Sequence, residues 1–174
     1  MTQVLGYEVY AAHGTDWGSA TAYEGYANLN QSVHPNTIGL ALNDNPAGIL
    51  AWIDEKLLDW SDPRWGTGPS VMSHREVLRH TSLYHLTGTA LSSVYTYASD
   101  PDHFQTAYTK ALTGAPFLYT AFKYNIAFWP KGLMEQVGNL VRYKFHTFGG
   151  HFPALDNPPA LVEDIREIAE FWQA

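Results

Sequence analysis

The sequence predicts an α/β fold in which a sheet is interrupted by a helical insertion. Three observations point there. An apolar-leaning run, Tyr7 to Ala12, leads into a tight Gly-flanked turn, Gly14-Thr15-Asp16-Trp17-Gly18-Ser19. The middle of the chain carries apolar residues at helical spacing behind two N-terminal capping signals. Past Asp100-Pro101-Asp102 the apolar period shortens to that of strands before a last helix.

Tyr7 to Ala12 reads as a short strand, and a helix follows the turn until Glu24-Gly25-Tyr26 breaks it. Residues 28–36 are polar and irregular, with a turn at His34-Pro35. Asn45 before Pro46 is an N-cap followed by proline at the first helical position. Ile49, Trp52, Ile53 and Leu57 then recur on one face, and Asp62-Pro63 ends the helix. Trp65 to Pro69 is a Gly/Pro-rich loop. Ser73-His74-Arg75-Glu76 is a capping box opening a helix with Val77, Leu78, Thr81 and Tyr84 on one side. Gly88 weakens or kinks that helix before Leu91 to Tyr97. Phe117 to Phe122 and Leu140 to Phe145 read as strands, joined through Pro130-Lys131-Gly132. Leu161, Ile165, Ile168 and Trp172 form the apolar stripe of the last helix.

The 174 residues suffice for one domain with a sizeable core. A 45% apolar, 16% charged composition is globular rather than disordered. The formal net charge of -7 argues against nucleic acid or an anionic membrane as partner, since both need basic patches. The lack of cysteine excludes disulfides and thiolate metal sites but leaves the compartment open. Residues 1–6 show no secretory pattern, and no apolar run approaches the ~20 residues of a membrane span, so a soluble, cytoplasmic protein is the expectation. Eight histidines invite a metal site, but His80/His85 and His146/His151 are five apart, not the four that places a helical pair on one face. No metal and no cofactor are expected.

Around Asp16 the small residues Gly14 and Gly18 sit two positions to either side. This is the spacing of a nucleophile elbow, a sharp strand-to-helix turn that pushes its central side chain into the open. Flanking side chains would collide there, so glycine fits. A carboxylate at the tip can attack an electrophilic carbon and form an ester. The competing reading is an ordinary Gly/Asp turn after a strand. His151, in Gly149-Gly150-His151-Phe152 after the last strand, occupies the place of a base at the other end of the chain.

Three separated segments carry a family resemblance. They are Gly14 to Ser19; Gly39-Leu40-Ala41-Leu42-Asn43-Asp44-Asn45-Pro46-Ala47-Gly48 and on to Ile53; and Gly149-Gly150-His151-Phe152-Pro153-Ala154-Leu155. Together they resemble the microsomal-type epoxide hydrolases, most of all the fungal branch, within the α/β-hydrolase superfamily. The resemblance implies a partial α/β-hydrolase fold, the C-terminal part of the sheet with a helical cap insertion. Residues 1–23 would be a core strand and the elbow, 24–112 the cap, and 113–174 the C-terminal core strands and helix.

The same resemblance implies hydrolysis of an epoxide to a vicinal diol through an Asp-bound alkyl ester. Asp16 matches the nucleophile and His151 the general base. Tyr97, after Ser92-Ser93, and Tyr26, in Gly25-Tyr26-Ala27-Asn28, match the cap tyrosines that donate to the epoxide oxygen. With 11 tyrosines in the chain, the plainer reading of either is a core or surface ring. Trp17 would offer its backbone N–H to the anion formed on the ester. The partners implied are a small apolar epoxide and water.

The match has three departures. The family's N-terminal strands, with the His-Gly-Trp-Pro loop that completes its oxyanion hole, have no counterpart in this sequence. Only ten residues separate Asp16 from Tyr26, so an internal stretch with a further core strand is missing too. A sheet of three or four strands is expected, with an edge that a second copy could cover in a homodimer. Finally, the family places its orienting acid just after Phe-Pro-x, whereas Trp129-Pro130-Lys131 is followed here by Gly132. The nearest carboxylate downstream is Glu135, the candidate acid, whose plainer reading is a solvated side chain. A truncated, catalytically inactive remnant that acts only as a binding or interaction module is the alternative function.

Overall fold

The computed structural model describes residues 35–98 and 111–171. The strand at Tyr7 to Ala12, the elbow and Tyr26 lie outside the described residues. Four helices come first: α1 (Pro35–Asp44), α2 (Pro46–Asp59), α3 (His74–Leu86) and α4 (Ala90–Ala98). Strand β1 (Pro116–Tyr124), helix α5 (Lys131–Val137) and strand β2 (Asn139–Gly150) follow. The short α6 (Pro153–Asp156), α7 (Pro158–Arg166) and a 3-10 turn (Glu167–Phe171) close the described chain.

The capping signals hold. Asn45 accepts a hydrogen bond from the Ala47 N–H at 2.8 Å, with Pro46 at the first helical position. Ser73 Oγ accepts from the Glu76 N–H at 3.3 Å, while the Glu76 carboxylate turns to Arg79 at 3.0 Å. Helix α2 stops at Asp59, three residues before the expected Asp62-Pro63 break. Gly88, at φ 64°, ends the third helix rather than kinking it, because the left-handed conformation closes the turn between α3 and α4. The segment expected to be irregular is helical from Pro35. Burial supports it: Leu42 packs with Ile49, Ala90 and Val94.

Those four residues are the core of the helical part, with Ile38, Trp52, Ile53 and Tyr84 packed against them. Full burial of a side chain such as Ile49, 1% exposed, stabilises by about 1.5–3 kcal/mol. A second cluster, Leu57, Met72 and Val77, draws in Trp65, Phe152 and Leu155, tying the helices to the turn that follows β2. Of the residues expected on one side of α3, Val77 and Thr81 face inward, whereas Leu78 is 53% exposed.

Strands β1 and β2 pair in parallel, from Pro116 opposite Asn139 to Tyr124 opposite Gly150. Among the described residues the sheet has these two strands, longer at both ends than their apolar runs predicted. Helix α7 docks through a polar centre. Asp164, buried, accepts from Lys144 Nζ at 2.8 Å and Thr120 Oγ1 at 2.9 Å, and meets His146 Nε2 at 2.8 Å. Burial pushes the Asp164 carboxyl up, but these bonds outweigh it and hold it below its ordinary range. Ile165, expected in the buried stripe, is 38% exposed. The stripe turned because a buried carboxylate needs its partners on the sheet.

Candidate active site

The site is built where β2 ends. Gly149 and Gly150 finish the strand and His151 and Phe152 turn out of it. Gly149 has φ 114°, a backbone that L side chains rarely adopt, and a Cβ there would stand 2.6 Å from the Phe122 ring. At Gly150 a Cβ would stand 2.4 Å from the Trp60 carbonyl oxygen. The paired glycines let the strand end run against the chain at Trp60 and Ser61.

Backbone donors of this turn go to two buried carboxylates and a carbonyl. The Gly149 N–H donates to Asp62 Oδ2 at 2.8 Å, and the Gly150 N–H to Asp156 Oδ2 at 2.9 Å. The His151 N–H donates to the Trp60 carbonyl at 2.7 Å. Asp156 Oδ1 also accepts from the Asp62 N–H at 3.3 Å, so one carboxylate ties both strands of the contact. Asp62 is gripped from its other side by Arg64, Nε at 2.8 Å and Nη2 at 2.7 Å. The same guanidinium donates to the Thr147 carbonyl at 2.7 Å, one turn of strand upstream.

The two carboxylates differ in charge balance. Burial raises Asp62, but the Arg64 and Gly149 hydrogen bonds pull harder and leave it below its usual range. Among the described residues no cation pairs with Asp156. Burial pushes it up to about 6, against the opposing pull of the Asp62 and Gly150 N–H groups.

Above this anchor sits the His151 ring. Trp60 meets it edge-on at 5.3 Å between centroids and Phe152 edge-on at 4.9 Å. Its Nδ1 lies 2.9 Å from Asn125 Oδ1. Asn125 is the first residue past β1, as His151 is the first past β2, and the neighbouring pair Tyr124 and Gly150 are in register. The C-terminal edge of a parallel sheet is where open α/β folds place their ligands.

The sequence-derived candidates fall in three groups. His151 stands in this setting. Glu135 lies on α5, 53% exposed by side chain, in an ion pair with Lys131 Nζ at 3.7 Å. Tyr97 is in the last turn of α4. Its side chain, and all of Asp16, Trp17 and Tyr26, lie outside the described residues. Sequence reasoning missed Asn125, Trp60, Asp62 and Asp156. Asn125 was findable, because it stands just past a predicted strand end. Asp62 was read only as a helix stop, since nothing local marks a partner 87 residues away.

A histidine on a turn past a parallel strand, over a glycine pair, is an arrangement of α/β-hydrolase enzymes. Comparison with known proteins agrees. The structure of Aspergillus niger epoxide hydrolase superposes with a TM-score of 0.67 and 32% identity, covering 84% of this chain and 36% of that one. The described fold is part of an α/β-hydrolase fold. In sequence, a protein named as an epoxide hydrolase from Stigmatella aurantiaca is 34% identical over 140 residues, 80% of this chain and 31% of its own length. One of the same name from Dothistroma septosporum is 31% identical over 144 residues, 82% of this chain and 32% of its own length. No family model matches the chain. Over most of its length the chain is thus homologous to epoxide hydrolases, and it spans about a third of the length of the relatives it matches.

Proposed function

We propose that the chain carries the epoxide-hydrolase chemistry of its relatives, with Asp16 as nucleophile and His151 as base. One observation supports it above the homology. His151 is fixed at the C-terminal sheet edge by a backbone bond and a ring bond, between two aromatic rings that limit water.

In this reading an Asp16 oxygen attacks an epoxide carbon and the ring C–O bond breaks. The oxygen leaving that carbon takes a proton from Tyr97 or Tyr26, which meet the developing charge as neutral donors. Water then adds to the carbonyl carbon of the Asp16 ester and gives its proton to His151 Nε2. The Trp17 N–H stabilises the resulting anion. Collapse expels the second diol oxygen, which takes the proton from His151. The proton left on the regenerated Asp16 restores the tyrosine. Epoxide and water become diol, and no metal or cofactor is required. The substrate class is a small apolar epoxide.

Mass spectrometry after brief exposure to an aryl epoxide tests the reading. An adduct of epoxide mass on the peptide containing Asp16, absent from Asp16→Asn, is the expected result. Equal diol formation by the parent and Asp16→Asn would remove it.

A second reading, an inactive binding or interaction module, is favoured by one observation: among the described residues, the group facing His151 Nδ1 is a neutral amide. Adduct that forms on Asp16 but never turns over would support it. Glu135 stays in the first reading as the candidate acid, and Glu135→Gln should then slow turnover. An unchanged rate would return Glu135 to its surface ion pair.

A further inference from the structure

We propose that Asn125 is the positioning residue of His151, a neutral amide doing the orienting work for which a carboxylate would otherwise be needed. The proposal rests on the reading of His151 as a base and deepens it.

Placement carries the first part of the argument. β1 and β2 are adjacent and parallel, and each delivers its next residue to the same edge of the sheet. Asn125 is held by its own turn, its N–H donating to the Phe122 carbonyl at 3.1 Å. His151 is held by the Trp60 carbonyl on its backbone and by Trp60 and Phe152 against its ring. Neither side chain has to find the other. Both are partly buried, so their bond is shielded from competing water.

Chemistry carries the second part. The amide oxygen of Asn125 can only accept. The ring nitrogen facing it at 2.9 Å must therefore carry the proton, which leaves the lone pair on Nε2. That is the tautomer a base needs if it takes its proton at Nε2. An orienting carboxylate fixes the same tautomer and also stabilises the imidazolium that forms. The amide supplies the first effect without the second, as the asparagine does in Cys-His-Asn proteases. Among the described residues, the charged groups nearest this turn have partners of their own. Asp62 and Asp156 take the Gly149 and Gly150 N–H groups, and Arg64 takes Asp62. Lys56 lies over the Trp52 and Trp60 rings, at 3.2 and 5.7 Å.

Long-range proton–nitrogen NMR of the full chain at pH 8 reads the tautomer directly. The His151 signals are assigned by their loss in His151→Gln. The parent should show His151 protonated at Nδ1. Asn125→Leu should move the population toward Nε2–H. Asn125→Asp, which keeps the shape, should retain Nδ1–H and move that proton further downfield, since a charged acceptor shortens the bond. The same Asp variant should speed breakdown of an Asp16 ester by about tenfold or more. His151 protonated at Nε2 in the parent, or signals indifferent to both substitutions, would overturn the proposal whatever the epoxide assay gives. A tautomer that responds in proteins that never open an epoxide would leave Asn125 in its role and remove the hydrolase reading instead. Should Asn125→Leu fail to fold, the parent spectrum and the isosteric Asp variant still decide.

Discussion

The turn after β2 and the contact among helices α1, α2 and α4 are both well packed, yet they are held by different forces. The helices meet through Leu42, Ile49, Ala90 and Val94, a contact of apolar side chains with no direction to it. The turn is held by Asp62 and Asp156, two fully buried carboxylates whose oxygens each point at a named N–H. Apolar contact tolerates small shifts. Directed bonds to Gly149 and Gly150 fix the backbone from which His151 projects. A catalytic base needs position more than it needs stability, and the polar anchor lies where position matters.

The sharpest way to break this contrast is to remove each kind of support in turn. Asp62→Ala leaves the Gly149 N–H unpaired inside and takes from the Arg64 guanidinium its two bonds to Asp62, leaving the one to the Thr147 carbonyl. Loss of one partner of a buried ion pair costs about 3–5 kcal/mol, and Arg64, half exposed, rehydrates, so a loss at the low end, about 3 kcal/mol, is expected. Ile49→Ala removes the largest fully buried side chain of the helical core and should cost about 3 kcal/mol. Urea unfolding gives both losses. Heteronuclear NMR then separates them: Asp62→Ala should shift the His151 ring signals, whereas Ile49→Ala should leave them in place. A similar shift of His151 in the two variants would mean that the turn has no anchor of its own.

Asp156 sharpens the comparison within the turn, because among the described residues it has no counterpart of the Arg64 that pairs with Asp62. Its carboxyl is raised from 3.8 to about 6 in the folded chain. The folded state therefore binds a proton more tightly than the unfolded one between those values. Its contribution to stability is whole at low pH and is lost as pH rises through about 6. With allowance for solvent screening, the parent should lose about 2 kcal/mol relative to Asp156→Asn between pH 4 and pH 7. Asp62 and Asp164, both lowered, change in the opposite sense and below their ordinary 3.8, outside that window. A difference between parent and variant that stays flat from pH 4 to 7 would count against a raised Asp156.

The contrast also explains what was legible in the sequence. Helices α2 and α3 were readable because their signals are local: Asn45-Pro46, Ser73-x-x-Glu76, and apolar residues at fixed spacing. The Gly149-Gly150-His151 segment was readable as a motif, and His151 was chosen from it. What holds it was not. The Asp62 N–H finds Asp156 94 residues along the chain, and no periodicity encodes that distance. The exposed Ile165 and buried Asp164 show the same limit: stripe rules assume that carboxylates face water, and here Lys144, His146 and Thr120 reverse the assumption. The surroundings of His151 show the limit again. Glu135 is the carboxylate nearest after Pro130 in sequence, while the sheet places Asn125, one residue past β1, against the His151 ring.

Ser73 supplies the smallest test and the cleanest one, since it belongs to neither support. Its hydroxyl accepts from the Glu76 N–H at 3.3 Å and satisfies one of the donors left open by the first turn of α3. Removing such a cap costs about 1 kcal/mol, and the bond here is long, so Ser73→Ala should fall at or below that figure. Ser73→Asp should recover the loss, because a carboxylate also caps and suits the positive end of the helix. Val77, the next inward residue of α3, packs in the cluster that includes Phe152, so a cap loss could reach the site through that contact. The directed bonds at Gly149 and Gly150 argue that it does not. Ser73→Ala should lower the urea midpoint while leaving the His151 imidazole signals unmoved. A shift of those signals would show that the turn takes its position from the apolar cluster as much as from its carboxylates.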